Sequence, residues 1–143
     1  GKPGDIYAVR PGGSGDVTNN RMAWHAKRKG GRDLPAPAVI GDQVLVTAMS
    51  GVTTAYDAKS GNALWSERIE GAFSGSPLIA NGLYYIQNEA GTTYVLRPGK
   101  TLDLVAKNPL PAKPGEIFRA TLVPLGDQIF IRSSSTLYCV RGS

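Results

Sequence analysis

The sequence predicts an all-β chain of β-propeller blades. Each blade is a four-stranded antiparallel meander, and about three and a half of them make a partial propeller. Three observations predict it. A short apolar segment recurs at the spacing of one blade. Two further strand-like runs precede each later copy in the same order. No stretch keeps the three-and-four spacing of an amphipathic helix.

The recurring segments are Ile6-Tyr-Ala-Val-Arg10, Thr53-Thr-Ala-Tyr-Asp57, Thr93-Tyr-Val-Leu-Arg97 and Leu137-Tyr-Cys-Val-Arg141. Their small or apolar centres are Ala8, Ala55, Val95 and Cys139, separated by 47, 40 and 44 residues. A blade of four short strands needs a period of roughly 40–45 residues. Gly41-Asp-Gln-Val-Leu-Val-Thr47, Gly82-Leu-Tyr-Tyr-Ile-Gln87 and Gly126-Asp-Gln-Ile-Phe-Ile-Arg132 supply the strand before each later segment. Pro37-Ala-Val-Ile40, Ser76-Pro-Leu-Ile79 and Ala120-Thr-Leu-Val123 supply the strand before that. These runs are β-branched or aromatic and are bounded by Gly, Asn, Asp and Pro, as strands are. Two hairpin turns fall in each of these units: Gly41-Asp42, Asn81-Gly82 and Gly126-Asp127, then Met49-Ser-Gly51, Glu89-Ala-Gly91 and Ser133-Ser-Ser135. Asn and Gly supply the positive φ that tight hairpins require.

This reading divides the chain into a half blade at 5–27, blades at 35–67 and 75–106, and a three-stranded blade at 118–141. Propellers close with four to eight blades. The expectation is therefore a C-terminal portion of a larger propeller, with the remaining blades upstream and a strand from the other terminus completing the last sheet.

Composition agrees. Apolar residues make up 41% and charged residues 19%, enough to build a core and far from the profile of a disordered chain. No run approaches the ~20 apolar residues of a spanning helix. The net charge is +5, and aromatic residues sit on strands as blade packing, so a nucleic-acid surface is not expected. Neither a leader peptide nor an Asn-x-Ser/Thr acceptor is visible. The lone Cys139 lies in an apolar strand pattern and reads as a small buried hydrophobe.

The second unit continues as Ala55-Tyr-Asp57-Ala-Lys-Ser-Gly61-Asn-Ala-Leu-Trp65. This A-x-D-x-x-x-G-x-x-x-W pattern resembles the tryptophan-docking motif of quinoprotein alcohol dehydrogenases and PQQ-like repeat proteins, including the BamB-type outer-membrane assembly lipoproteins. Each position has a physical role. Ala55 is small where blade faces approach. Asp57 accepts hydrogen bonds from the turn. Gly61 takes the left-handed conformation that reverses the chain. Trp65 offers a large face and a ring N–H to the adjacent blade. The first unit keeps Ala8 and Trp24 but has Arg10 at the Asp place and a turn about six residues longer. The third has Arg97, Thr101 and Val105 at the Asp, Gly and Trp places.

Other motifs read as structure. Asp42 and Asp127 occupy equivalent hairpins and are turn formers, not a catalytic pair. Pro98-Gly-Lys-Thr101 looks like the end of a phosphate loop, but Tyr94 stands where its first Gly belongs and no helix follows. Gly12-Gly-Ser-Gly-Asp-Val17 is a surface loop within the first unit. The basic run His25-Ala-Lys-Arg-Lys-Gly-Gly-Arg32 connects one blade to the next, and His25 has no His or Cys neighbour with metal-ligand spacing. No catalytic, cofactor-binding or metal-ligating residue is assigned.

The resemblance implies a non-enzymatic scaffold that mediates protein–protein interaction in a periplasmic, secreted or cell-envelope setting. The alternative is a fragment of a PQQ-dependent dehydrogenase whose catalytic residues lie upstream, with PQQ and calcium as cofactors. A sensor propeller fused to another domain is a third option. The partners expected are the remaining blades or a second copy, together with a protein ligand.

Overall fold

Four antiparallel sheets succeed one another along the chain, each built from strands consecutive in sequence; the computed structural model describes residues 4–28 and 33–141. The first sheet pairs β1 (Ile6–Val9) with β2 (Met22–Ala26), which follows a single helical turn, α1 (Thr18–Arg21). The second runs β3 (Ala38–Ile40), β4 (Gln43–Thr47), β5 (Val52–Asp57), β6 (Ala63–Arg68). The third runs β7 (Leu78–Ala80), β8 (Leu83–Gln87), β9 (Thr92–Arg97), β10 (Asp103–Pro109). The fourth has three strands, β11 (Val123–Leu125), β12 (Gln128–Arg132) and β13 (Leu137–Arg141). The predicted all-β partial propeller is what the chain forms.

Short hairpins enforce this order. Asn81 and Gly82 both hold positive φ, 50° and 71°, which matches the turn to the strand twist. The opening register repeats from sheet to sheet: Ala38 faces Leu45, Leu78 faces Tyr85, Val123 faces Phe130. The last sheet starts later than the sequence suggested, at Val123 and not Ala120. Phe118 instead bridges to Ser133, and Leu122 is buried with Phe118 and Ile131. The segment before Val123 thus packs over the sheet instead of joining it.

Alternation along each strand sends neighbouring side chains to opposite faces, and the core fills the junctions between sheets. Trp24 and Ala26 pack on Val46 and Tyr56 between the first and second sheets. Leu45, Ala55 and Trp65 meet Tyr84, Ile86, Tyr94 and Leu96 between the second and third. Tyr85 and Leu78 meet Ile131, Ile129 and Tyr138 between the third and fourth. Cys139 departs from expectation: it is exposed. Its neighbour Tyr138 packs toward the third sheet, so alternation turns Cys139 to the opposite face of β13, where no sheet lies.

Of the basic run, residues 29–32 lie outside the described residues. Arg28 pairs with Asp33, and its backbone N–H donates to Asp5 at 3.1 Å.

Candidate functional site

The four motif residues of the second unit gather at two junctions. Ala55 is fully buried on β5 and stands opposite Trp65 on β6. The Trp65 indole, 9% exposed, crosses to the third sheet and donates its Nε1–H to the carbonyl oxygen of Gly99 at 3.1 Å. Gln43 Nε2 donates to the same oxygen at 2.9 Å. The turn between β9 and β10 is thus held by two donors from the sheet before it.

Asp57 closes the turn after β5. Its Oδ1 accepts from the Ser60 hydroxyl and backbone N–H, both at 2.7 Å, and from the Lys59 N–H at 3.1 Å. These bonds, the Ser60 hydroxyl foremost, hold its carboxyl below the usual range. Gly61 has φ +74°, and a Cβ there would stand 2.5 Å from the Trp24 ring. Its hydrogen side is therefore a seat for the indole of the preceding sheet, and Trp24 Nε1 donates to the Ala58 carbonyl at 2.9 Å. Sequence reasoning gave Gly61 the reversal of the chain; the contact with Trp24 is an added demand from the neighbouring sheet.

The third unit needs a correction. Trp24 stands opposite Ala8, and Trp65 opposite Ala55. The equivalent partner of Val95 is Ala106, not Val105. The turn after β9 is one residue longer, so the bulge that falls on Leu64 in the second sheet falls on Val105 here, and Val105 is exposed. A methyl group replaces an indole, and the junction beyond holds a cavity of about 280 Å³ lined by Tyr85, Thr93, Leu110, Leu122, Ile129 and Val140 among others.

A second set of residues lies where sheet-to-sheet connections cross the turns between second and third strands. A chain of backbone hydrogen bonds runs from sheet to sheet: Phe73 N–H to Met49 O at 2.9 Å, Glu89 N–H to Ala72 O at 2.7 Å, Phe118 N–H to Glu89 O at 3.0 Å, and Ser134 N–H to Ile117 O at 2.8 Å. Phe73 and Phe118 plug this layer and are fully buried. Sequence reasoning missed both; their shared place five residues before Leu78 and Val123 is the signal that could have found them.

On this connection face Glu89 accepts from the Ser74 hydroxyl and from Arg119 Nε and Nη2, at 3.2 and 3.3 Å. Ser74 first, then Arg119, holds its carboxyl below the usual range. Leu34, Met49, Ser74, Glu89 and Arg119 border an open depression of about 510 Å³. Nearby, the Glu116 carboxylate is buried. It accepts from the Ser133 hydroxyl, from Tyr138 OH at 2.6 Å, from Ser135 Oγ at 3.2 Å and from the Lys113 N–H at 2.9 Å. The Ser133 and Tyr138 hydroxyls hold it well below the usual carboxylate range. Among the described residues, no three His, Cys, Asp or Glu side chains gather where they could hold a metal ion. No helix among them is long and apolar enough to cross a membrane.

Comparison with known proteins follows this geometry. The family described as outer membrane protein assembly factor BamB matches residues 3–104. No curated protein matches the chain in sequence. BamB from Moraxella catarrhalis superposes with a TM-score of 0.73 at 18% identity, over 96% of this chain and 44% of that one. A quinohemoprotein alcohol dehydrogenase from Pseudomonas putida gives 0.61 at 18% identity, over 92% of this chain and 26% of that one. A europium-containing methanol dehydrogenase gives 0.53 at 16% identity, over 72% and 21%. The chain therefore spans less than half the length of each of these structures.

Proposed function

Because the chain belongs to the family described as outer membrane protein assembly factor BamB, we propose that it is a non-enzymatic β-propeller scaffold that holds a protein partner in the bacterial envelope. The family match over most of the chain carries this reading, and the 0.73 superposition on a BamB supports it. In this reading Ala55, Asp57, Gly61 and Trp65 weld sheet to sheet and take no part in chemistry. The connection face, with its depression bordered by Leu34, Glu89 and Arg119, presents the contact surface.

The likeness to two dehydrogenases favours a second reading, a portion of a quinone-dependent enzyme. The described residues assemble no acidic cluster that fits calcium, so no reaction step is derived through that ion or the quinone.

A photoreactive residue placed at Leu34 tests the scaffold. It should cross-link to one envelope protein in cells, and Arg119→Glu should abolish the adduct while the fold survives. Oxidation of alcohols or sugars by the purified protein with added PQQ and calcium would overturn the scaffold in favour of the enzyme.

A further inference from the structure

Two sheet faces point away from every other sheet and carry apolar side chains. On the first sheet, Ile6, Ala8, Trp24 and Ala26 turn toward the second, so Tyr7, Val9 and Met22 turn outward, at 57%, 58% and 38% exposure. His25 stacks on Tyr7 with ring centroids 4.5 Å apart and lies 2.7 Å from the Asp5 carboxylate, which places all three on this same face. On the fourth sheet, Ile129, Ile131 and Tyr138 turn toward the third. Val123, Leu125, Leu137 and Cys139 turn outward and are exposed.

The two faces are of opposite kind. In the second and third sheets, one face receives the sheet before and the other receives the sheet after. The face of β1–β2 that lies outward is the kind that receives a preceding sheet. The outward face of β11–β13 is the kind that receives a following one. We propose that these two faces dock on each other between two copies of this chain, head to tail.

Three observations favour a second copy. First, each copy offers both kinds of face, so one interface satisfies one face of each partner. Second, charge is complementary: the receiving face of β1–β2 carries the Asp5 carboxylate, and that of β11–β13 carries Arg132, which follows Phe130 by two residues on β12 and shares its face. Third, the accessible surface is 8549 Å², whereas a compact monomer of 15.1 kDa exposes about 7,100 Å². The excess is on the order of 1,400 Å² per chain, enough for the ~800 Å² per partner that a standard interface buries. With four sheets per copy, two copies supply eight, within the range of closed propellers. A head-to-tail contact that did not close would build longer chains by the same interface.

The inference rests on the fold alone and stands or falls separately from the scaffold reading. Sedimentation of the 143-residue chain across a concentration series tests it. The expected species has twice the chain mass or more. Val9→Glu and Leu137→Glu change exposed positions and should leave the fold intact, as checked by tryptophan fluorescence. Each variant alone should be monomeric, since each loses one member of the face pair. Their equimolar mixture should form a dimer, because the intact face of one fits the intact face of the other. A monomeric parent chain, as when other blades cover these faces, overturns the proposal. So does self-association of either variant alone, which would mean that like faces pair.

Discussion

The junction between the second and third sheets is filled, whereas the junction between the third and fourth encloses about 280 Å³. Both come from the same repeat. At the first, Trp65 spans the gap and ties itself to the Gly99 carbonyl, while Leu45, Ile86 and Leu96 are fully buried around it. At the second, Ala106 stands in the indole's place, and the fourth sheet is anchored instead by the buried Glu116 and its hydroxyl donors. One junction is held by packing, the other by a polar clasp. The repeat therefore fixes where sheets meet but leaves open how they are joined.

The largest break in this contrast comes from the indole. Trp65→Ala should destabilise the chain by about 3–5 kcal/mol, the cost of deleting a large buried aromatic. Urea unfolding measures it. A loss below about 1 kcal/mol is what an exposed site gives and would show that the ring does not carry the junction.

A matched pair of smaller truncations sharpens the comparison. Ile86 is completely enclosed at the filled junction, and Ile131 lines the cavity at the other. Ile86→Ala should cost about 4 kcal/mol and Ile131→Ala about 2, because fewer contacts are lost beside a void that already exists. Equal costs in the same unfolding measurement would mean that the two junctions pack alike.

How far the sequence revealed this depends on the range of each determinant. Strands and hairpins were legible because alternation and turn residues such as Asn81-Gly82 act over a few positions. Asp57 and Gly61 were legible for the same reason: the turn they form is local. The shift from Val105 to Ala106 was not, because bulge placement depends on the length of the preceding turn and on pairing across strands. Cys139 looked like a core residue because its strand pattern is apolar on both faces; its exposure follows from a missing neighbour, not from its own segment. Phe73 and Phe118 hid in connections rich in Gly, Ser and Pro. Glu116 hid as an ordinary loop acid, since its donors Ser133 and Tyr138 come from 17 and 22 residues away.

The polar clasp predicts the smallest and most local effect, a difference in acid response. Glu116 and Glu89 both sit below the ordinary glutamate pKa when folded. A carboxylate with a depressed folded pKa contributes stability above its unfolded value of about 4.3, and that contribution is lost as pH falls further. Both groups hold the fourth sheet and the connection leading to it. The filled junction relies on neutral hydroxyls, with Thr47 bonded to Tyr84 OH at 2.9 Å and to Thr53 at 3.0 Å. Its nearest ion pair, Lys107 with Glu70 at 2.6 Å, is solvent-exposed and screened. Burial pushes the Tyr84 phenol up to about 12, so its contribution persists below pH 10 and fades only in strong alkali. Below about pH 4, amide exchange in β12 and β13 should therefore rise ahead of that in β8 and β9, after correction for intrinsic rates. Glu116→Gln should loosen β12 and β13 already at neutral pH and flatten most of their acid response. If both pairs of strands kept the same protection down the acid range, the clasp would not be what holds the fourth sheet in place.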